Sequence, residues 1–255
     1  MIKTLISILL IVFVTFTWAE DFAEFRGSPL SAGQEESMAN VLMDWSVAHH
    51  VKTEQRMLSQ EYSAIRRYGR VDYSVINEYL RAGEPKDFLG GFLGDAAERS
   101  VKAIKSALNK MPNYKGTVYR GSSIKNVLLE KINIGDILHE KAFLSTSTIP
   151  SNARFFSVSA AYEGASAAQF KISLKSVGRA INAYTFKAYE AEVLAKPNTY
   201  YRIEAIERLS RDQNFIKLRE IKNPSRYVRE EPNTRVYDSF SGEEVTLRSS
   251  SLMCI

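Results

Sequence analysis

Cysteine is almost absent from this chain of 255 residues: Cys254 alone, beside the C-terminal residue. One thiol closes no internal disulfide, so the core must hold without covalent staples. No neighbouring histidine or helix start activates Cys254 as a nucleophile, and it is expected to be a tail residue. Histidine is scarce as well. His49, His50 and His139 show no metal-ligand spacing, and no metal is expected. Dense Lys/Arg blocks are missing, so the net charge of +5 describes a mildly basic surface and nucleic acid is not an expected partner. Internal repeats and low-complexity segments are lacking too. Beyond the N-terminus, no apolar run is long enough to span a bilayer, which takes about 20 residues.

The N-terminus is the exception. Lys3 supplies a positive start, Leu5 to Phe16 is almost wholly apolar, and Thr17-Trp18-Ala19 ends on a small residue. Residues 1–19 therefore read as a secretory signal peptide cut after Ala19. A membrane anchor is disfavoured because Glu20 and Asp21 follow where basic stop-transfer residues would stand. The product is expected to be secreted, with a charge of about +4 once Lys3 of the original +5 is lost.

Residues 20–255 are expected to form one domain, with 45% hydrophobic and 25% charged residues, enough apolar material for a sizeable core. Met38, Leu42, Trp45 and Ala48 recur at helical spacing and predict a helix from about Glu35 to Leu58. A second helix is expected from Ser74 through Leu80, ended by Gly83 and Pro85. Phe88–Gly94 is rich in glycine but lacks the Lys-Ser/Thr ending of a phosphate-binding loop, and reads as a turn. Asp95 and Glu98 resemble a capping box opening a helix striped by Ala97, Val101, Ile104 and Leu108. After Asn113 the pattern turns to short β-branched and aromatic runs, predicting strands Thr117–Arg120, Phe143–Ser147, Ala168–Lys175, Tyr189–Leu194, Tyr200–Leu209 and Phe215–Ile221. Helices followed by strands make an α+β domain. Residues 223–255 are polar and read as a peripheral extension.

Three features bear chemistry. Glu190 and Glu192 flank Ala191; on a strand they would share a face about 6.5–7 Å apart, and like charges that close raise at least one pKa. Arg120 ends a short apolar strand and is followed by Gly121. Ser145-Thr146-Ser147 is a hydroxyl run on another strand. The bland readings are a solvated carboxylate face, a surface ion pair and an ordinary Ser/Thr-rich strand.

Taken in order, these residues resemble the Arg, Ser-Thr-Ser, Glu-x-Glu signature of the mono-ADP-ribosyltransferase toxins, and the resemblance extends over about residues 65–221. It implies a split β-sandwich of two roughly perpendicular sheets with helices on the N-terminal side. It also implies NAD as substrate, with no metal. Loss of nicotinamide from NAD passes through an oxocarbenium-like transition state, and a carboxylate about 4 Å away contributes on the order of 4 kcal/mol at an effective dielectric near 20. By resemblance that carboxylate is Glu192, held by Ser145. Arg120 forks onto phosphate or ribose oxygens, Gly121 lets backbone come close, and Thr146 and Ser147 shape the floor. Glu190 is the acceptor-side carboxylate; Glu there goes with arginine acceptors in the family.

Arg154 and Phe156 are candidates for a loop over the NAD site, with core packing of Phe155 and Phe156 equally open. Relatives carry an arginine where this chain has Gln169, Phe170 and Lys171, and Lys171 is a candidate replacement. Tyr184, Phe186 and Tyr189 precede or join the glutamates in the turn that reads the target in relatives; Tyr68 and Tyr73 are candidates for the cleft wall. The resulting expectation is a secreted toxin modifying an arginine of a host protein, with actin or a small GTPase as implied acceptors and with entry resting either on a separate delivery partner or on the helical lead Gln34–Leu58. A NAD glycohydrolase and a non-catalytic binding module on the same scaffold are the alternatives.

Overall fold

The computed structural model describes residues 22–26, 30–158 and 160–247. The expected signal peptide and Cys254 lie outside them. No helix among the described residues is long and apolar enough to cross a membrane.

Helices occupy the first part of the chain. A short helix α1 (Ala23–Arg26) precedes α2 (Ala32–Glu54), which opens on a capping box between Ser31 and Gln34. The buried residues of α2 are Ala39, Leu42, Ser46, His50 and Thr53, whereas Ala48 is exposed. The expected stripe holds at Leu42, with Met38 and Trp45 half-buried against the same core, and fails only at Ala48; hydrogen bonds add to the docking of α2. Ser46 Oγ donates to Asn182 Oδ1 (2.8 Å), Thr53 Oγ1 donates to the Lys110 carbonyl (3.1 Å), and His50 Nδ1 meets the Tyr184 hydroxyl (2.9 Å).

Helix α3 (Ser59–Arg67) runs through a π-helical segment, Tyr68–Asp72, into α4 (Tyr73–Arg81). Helix α5 (Phe92–Lys110) begins on Gly91, so Asp95 lies in its first turn and does not cap it. The predicted stripe of Ala97, Val101, Ile104 and Leu108 is buried throughout. Phe88–Gly94 includes a turn in which Leu89, Gly90 and Gly91 all take positive φ (45°, 82° and 83°).

The remainder is sheet: β1 (Tyr114–Lys125), β2 (Ile137–Glu140), β3 (Leu144–Ser147), β4 (Ala165–Ala180), β5 (Glu192–Ala195), β6 (Thr199–Ser210), β7 (Gln213–Ile221) and β8 (Val236–Asp238). Helices α6 (Asn126–Lys131), α7 (Pro150–Ser157) and α8 (Pro224–Glu230) interrupt them. Strand β4 pairs with β1 along most of its length, with β7 through residues 168–173 and with β5 through 178–180. All eight strands join in one hydrogen-bonded network in the order β1-β3-β5-β4-β7-β6-β2-β8, in which an additional β1–β4 pairing closes the loop β1-β3-β5-β4. Helices on the N-terminal side and a sheet-rich body are the architecture expected.

Strand β5 sits between two cores. Val193 joins Val118, Ile172, Ile203 and Ile216 in the strand core, while Leu194 joins Ile65, Tyr68, Ile104 and Phe143 under the helices. Alternation along a strand dictates this division. Residues 224–247 are not peripheral: β8 pairs in parallel with β2, and Val236 packs with Ile137 and Ile221.

Candidate active site

The antiparallel register of β3 and β5 sets Ser147 opposite Glu192, Thr146 opposite Val193 and Ser145 opposite Leu194. Opposed residues share a face. Ser145, Ser147, Glu192 and Leu194 therefore look toward the helical layer, while Thr146 looks into the sandwich core and donates to the Val193 carbonyl (2.6 Å). Where β3 and β5 meet the π-helical segment, a cavity of about 390 Å³ opens. Arg120, Gly121, Ser145, Thr146, Ser147, Phe156, Glu190 and Glu192 all line it, together with Tyr68 and Tyr73.

Glu192 lies at its floor and is 8% exposed. Burial pushes its carboxyl up to about 7; the hydrogen bond from Ser145 opposes this, and the neighbouring Glu190 adds to it. Like-charge repulsion is thus real but secondary to desolvation. Behind Ser145 stands a relay: the Phe143 amide donates to Asn77 Oδ1 (3.2 Å), Asn77 Nδ2 donates to the Tyr68 hydroxyl (3.0 Å), and that hydroxyl lies 3.4 Å from Ser145 Oγ. Burial pushes the Tyr68 phenol up to about 12, so it remains a donor at neutral pH. Each donor in the chain fixes the next, which leaves the Ser145 proton directed at Glu192.

Glu190 is not on the strand. Ala188–Glu190 form a 3-10 turn, and Ala191 takes a left-handed conformation (φ 47°, ψ 50°) before β5 begins at Glu192. The two carboxylates reach one cavity through this bend, not through strand alternation. Left-handed φ costs an alanine of order 1 kcal/mol or more, and the surroundings hold it: the Ala191 carbonyl accepts from the Thr148 amide (3.1 Å). The Glu190 carbonyl accepts from Ser147 Oγ (2.7 Å) and Asn152 Nδ2 (3.0 Å). Its carboxylate pairs with Lys187 Nζ at 2.9 Å.

Arg120 Nη1 donates to the Ser145 carbonyl at 2.8 Å. Burial draws its pKa below the usual guanidinium value, and Glu140, Tyr68 and Glu192 counter that pull. Gly121 is the point of close backbone approach, but the approaching chain is α7: a Cβ there would stand 1.8 Å from the Ala153 carbonyl oxygen.

The other candidates divide. The span containing Arg154 and Phe156 is helix α7, with Pro150 at its start. Phe156 lines the cavity; Arg154 lies on the exposed face of α7 outside the lining. Phe155 and Phe156 are both exposed, which removes the core-packing reading. Lys171 bridges Glu24 of α1 at 2.7 Å and is not at the cavity. Tyr184 is buried against His50, whereas Phe186 and Tyr189 are exposed. Asn77, Asn152, Lys187 and Gly69 are also among the lining residues, though the sequence did not point to them as site residues. Pro150-Ser151-Asn152 carried a helix-start signal in its proline; the other three become visible only through tertiary contact. Among the described residues no cluster of His, Cys, Asp and Glu could hold a metal.

A sheet-rich body with a buried carboxylate, a facing hydroxyl strand and a guanidinium around one cavity is the arrangement that the resemblance to mono-ADP-ribosyltransferases implies. Comparison with known proteins agrees. The family described as ADP-ribosyltransferase exoenzyme matches residues 43–223, and the chain belongs to that family. Vis, from Vibrio splendidus strain 12B01, is 34% identical over 241 residues, covering 93% of this chain and 94% of Vis. The solved structure of the Vis toxin superposes with a TM-score of 0.78 over 88% of this chain and all of that one; Vis has also been solved with agmatine, at 0.76 over 87% of this chain and 98% of that one. Tre1 of Serratia proteamaculans strain 568, named a NAD(+)–protein-arginine ADP-ribosyltransferase, is 30% identical over 55% of this chain but only 27% of its own length.

Proposed function

We propose that this protein is an exported toxin that moves ADP-ribose from NAD to an arginine side chain of a host protein. The observation that carries the reading is the buried Glu192 carboxyl, with Ser145 directed at it and Arg120 and Glu190 on the same cavity. NAD supplies a glycosidic carbon whose bond to cationic nicotinamide is ready to break. The residues suit it: Arg120 matches phosphate or ribose oxygens bidentately, and Glu192 offers negative charge where positive charge grows on the ribose. Ser145 holds that carboxylate in place.

Glu190 serves the acceptor. A free guanidinium keeps its proton at neutral pH, so a neighbouring carboxylate must orient it and take the proton as the new carbon–nitrogen bond forms. Lys187 pairs with the Glu190 carboxylate, and the side-chain bonds from Ser147 and Asn152 to the Glu190 carbonyl fix its position. Agmatine is decarboxylated arginine, and its binding by Vis supports an arginine acceptor here. Signal-directed secretion and delivery by a partner chain belong to the same proposal.

The test is cleavage of etheno-labelled NAD by wild type, Glu190→Gln and Glu192→Gln, with and without agmatine. Glu192→Gln should lose about a thousandfold in turnover. Glu190→Gln should lose agmatine labelling yet keep cleavage with water as acceptor. Turnover indifferent to agmatine in the wild type would assign the cavity to NAD hydrolysis instead.

A further inference from the structure

We infer that the acceptor is a protein whose target arginine is surrounded by acidic side chains, and that Arg66 and Arg70 select it. This rests on the arginine-transfer reading. Two segments meet at the cavity mouth, the π-helical segment Tyr68–Asp72 and the turn 185–191. They touch where a Cβ on Gly69 would stand 3.0 Å from Thr185 Cγ2. Beside that contact the Arg66 guanidinium lies 3.7 Å from the Phe186 ring centroid and Arg70 lies 5.5 Å from it. Phe186 and Tyr189 are 56% and 68% exposed.

The charges at this rim do not cancel. Arg67 pairs with Asp72 and Lys187 with Glu190, each at 2.9 Å. Arg66 and Arg70 have no carboxylate within ion-pair distance among the described residues; their partners are aromatic faces. A cation–π contact orders a guanidinium without neutralising it. The rim thus presents two uncompensated positive charges to an acceptor group that is itself positive. A bare arginine side chain gains nothing from such a rim. An arginine flanked by Asp and Glu does, because its neighbours meet Arg66 and Arg70 while Phe186 and Tyr189 offer apolar area. Charge complementarity of this kind governs partner choice and encounter rate more than intrinsic turnover.

The experiment uses the full chain, NAD and three acceptors: agmatine, a peptide with one arginine among glutamates, and a peptide with one arginine among lysines. Wild type should modify the acidic peptide with kcat/KM on the order of tenfold above the basic one at low salt, a gap that narrows as salt rises. Arg66→Glu/Arg70→Glu should reverse the order, while agmatine, itself cationic, should be modified at least as fast as by wild type. The milder Arg66→Gln/Arg70→Gln should erase the preference, which guards against a charge reversal that disturbs folding. Agmatine modified but both peptides treated alike, or a preference that survives both double variants, overturns the inference alone. Failure to modify agmatine overturns the arginine-transfer reading and this inference with it.

Discussion

Glu192 carries a cost that depends on pH. Its folded pKa of about 7 stands above the ordinary 4.5, so the folded state holds a proton that the unfolded chain has already released. Stability is unaffected below about pH 4.5, falls as pH rises toward 7, and carries the whole penalty above that. At about 1.4 kcal/mol per unit, the penalty reaches roughly 3 kcal/mol. Glu192→Gln keeps the acceptor for Ser145 and removes the charge. It should therefore be more stable than wild type at pH 8 by up to that amount and equal to it near pH 4, as read by urea denaturation. On the proposed reading the same group also sets the pH profile of activity. With the carboxylate as the active form, kcat/KM for NAD cleavage should rise about tenfold per unit below pH 7 and level above it; a profile flat from pH 5 to 8 would remove Glu192 from the rate-determining chemistry. Arg120, Ser145–Ser147, Glu190 and Glu192, which share the cavity, were legible as candidates in the sequence because chemistry restricts such groups to few residue types. Their geometry was not: the expected strand through Tyr189–Leu194 is broken by Ala191, and nothing in an alanine announces a left-handed φ.

Helix α7 is the element on which the site most depends. It brings Asn152 to the Glu190 carbonyl and Phe156 to the cavity, and it can lie so close to β1 only because residue 121 has no side chain. The clash in Gly121→Ala would be with backbone atoms, Ala153 O at 1.8 Å and Ser157 N at 2.7 Å, so α7 itself must move. We expect a loss of about 3 kcal/mol or more in urea unfolding and a rise in KM for NAD in whatever folds; unchanged values would mean that α7 is free to shift. The long helix α5 and the long strands were legible because each satisfies its own periodicity over many residues. Strands β2 and β8, of four and three residues, were not. Too short to show alternation, they exist through non-local pairing, as α7 exists through its docking on β1.

At the scale of the molecule, the C-terminal residues complete the sheet. Deleting 224–247 would leave β2 as a bare edge and uncover Ile137 and Ile221, which Val236, Val245 and Leu247 now cover. A chain ending at Lys222 is expected to lose cooperative urea unfolding; a sharp transition like that of the full chain would show 224–247 to be dispensable. The helices-then-strands plan of the whole was readable from pattern, but the closing of the sheet by its last strand was not, since a parallel β2–β8 pair joins segments distant along the chain. Strand β4 has the widest reach. It bonds to β1, β5 and β7 at once, so the closed loop β1-β3-β5-β4 and the strands beyond β7 cannot open independently. Fluctuations that would loosen the floor beneath Glu192 are coupled to unfolding of the whole body. In the segment between β4 and β5, Ile181, Asn182, Tyr184 and Ala191 are buried while Phe186 and Tyr189 are exposed, so any adaptation to a bound molecule would fall to side chains at the edge and leave the buried floor in place.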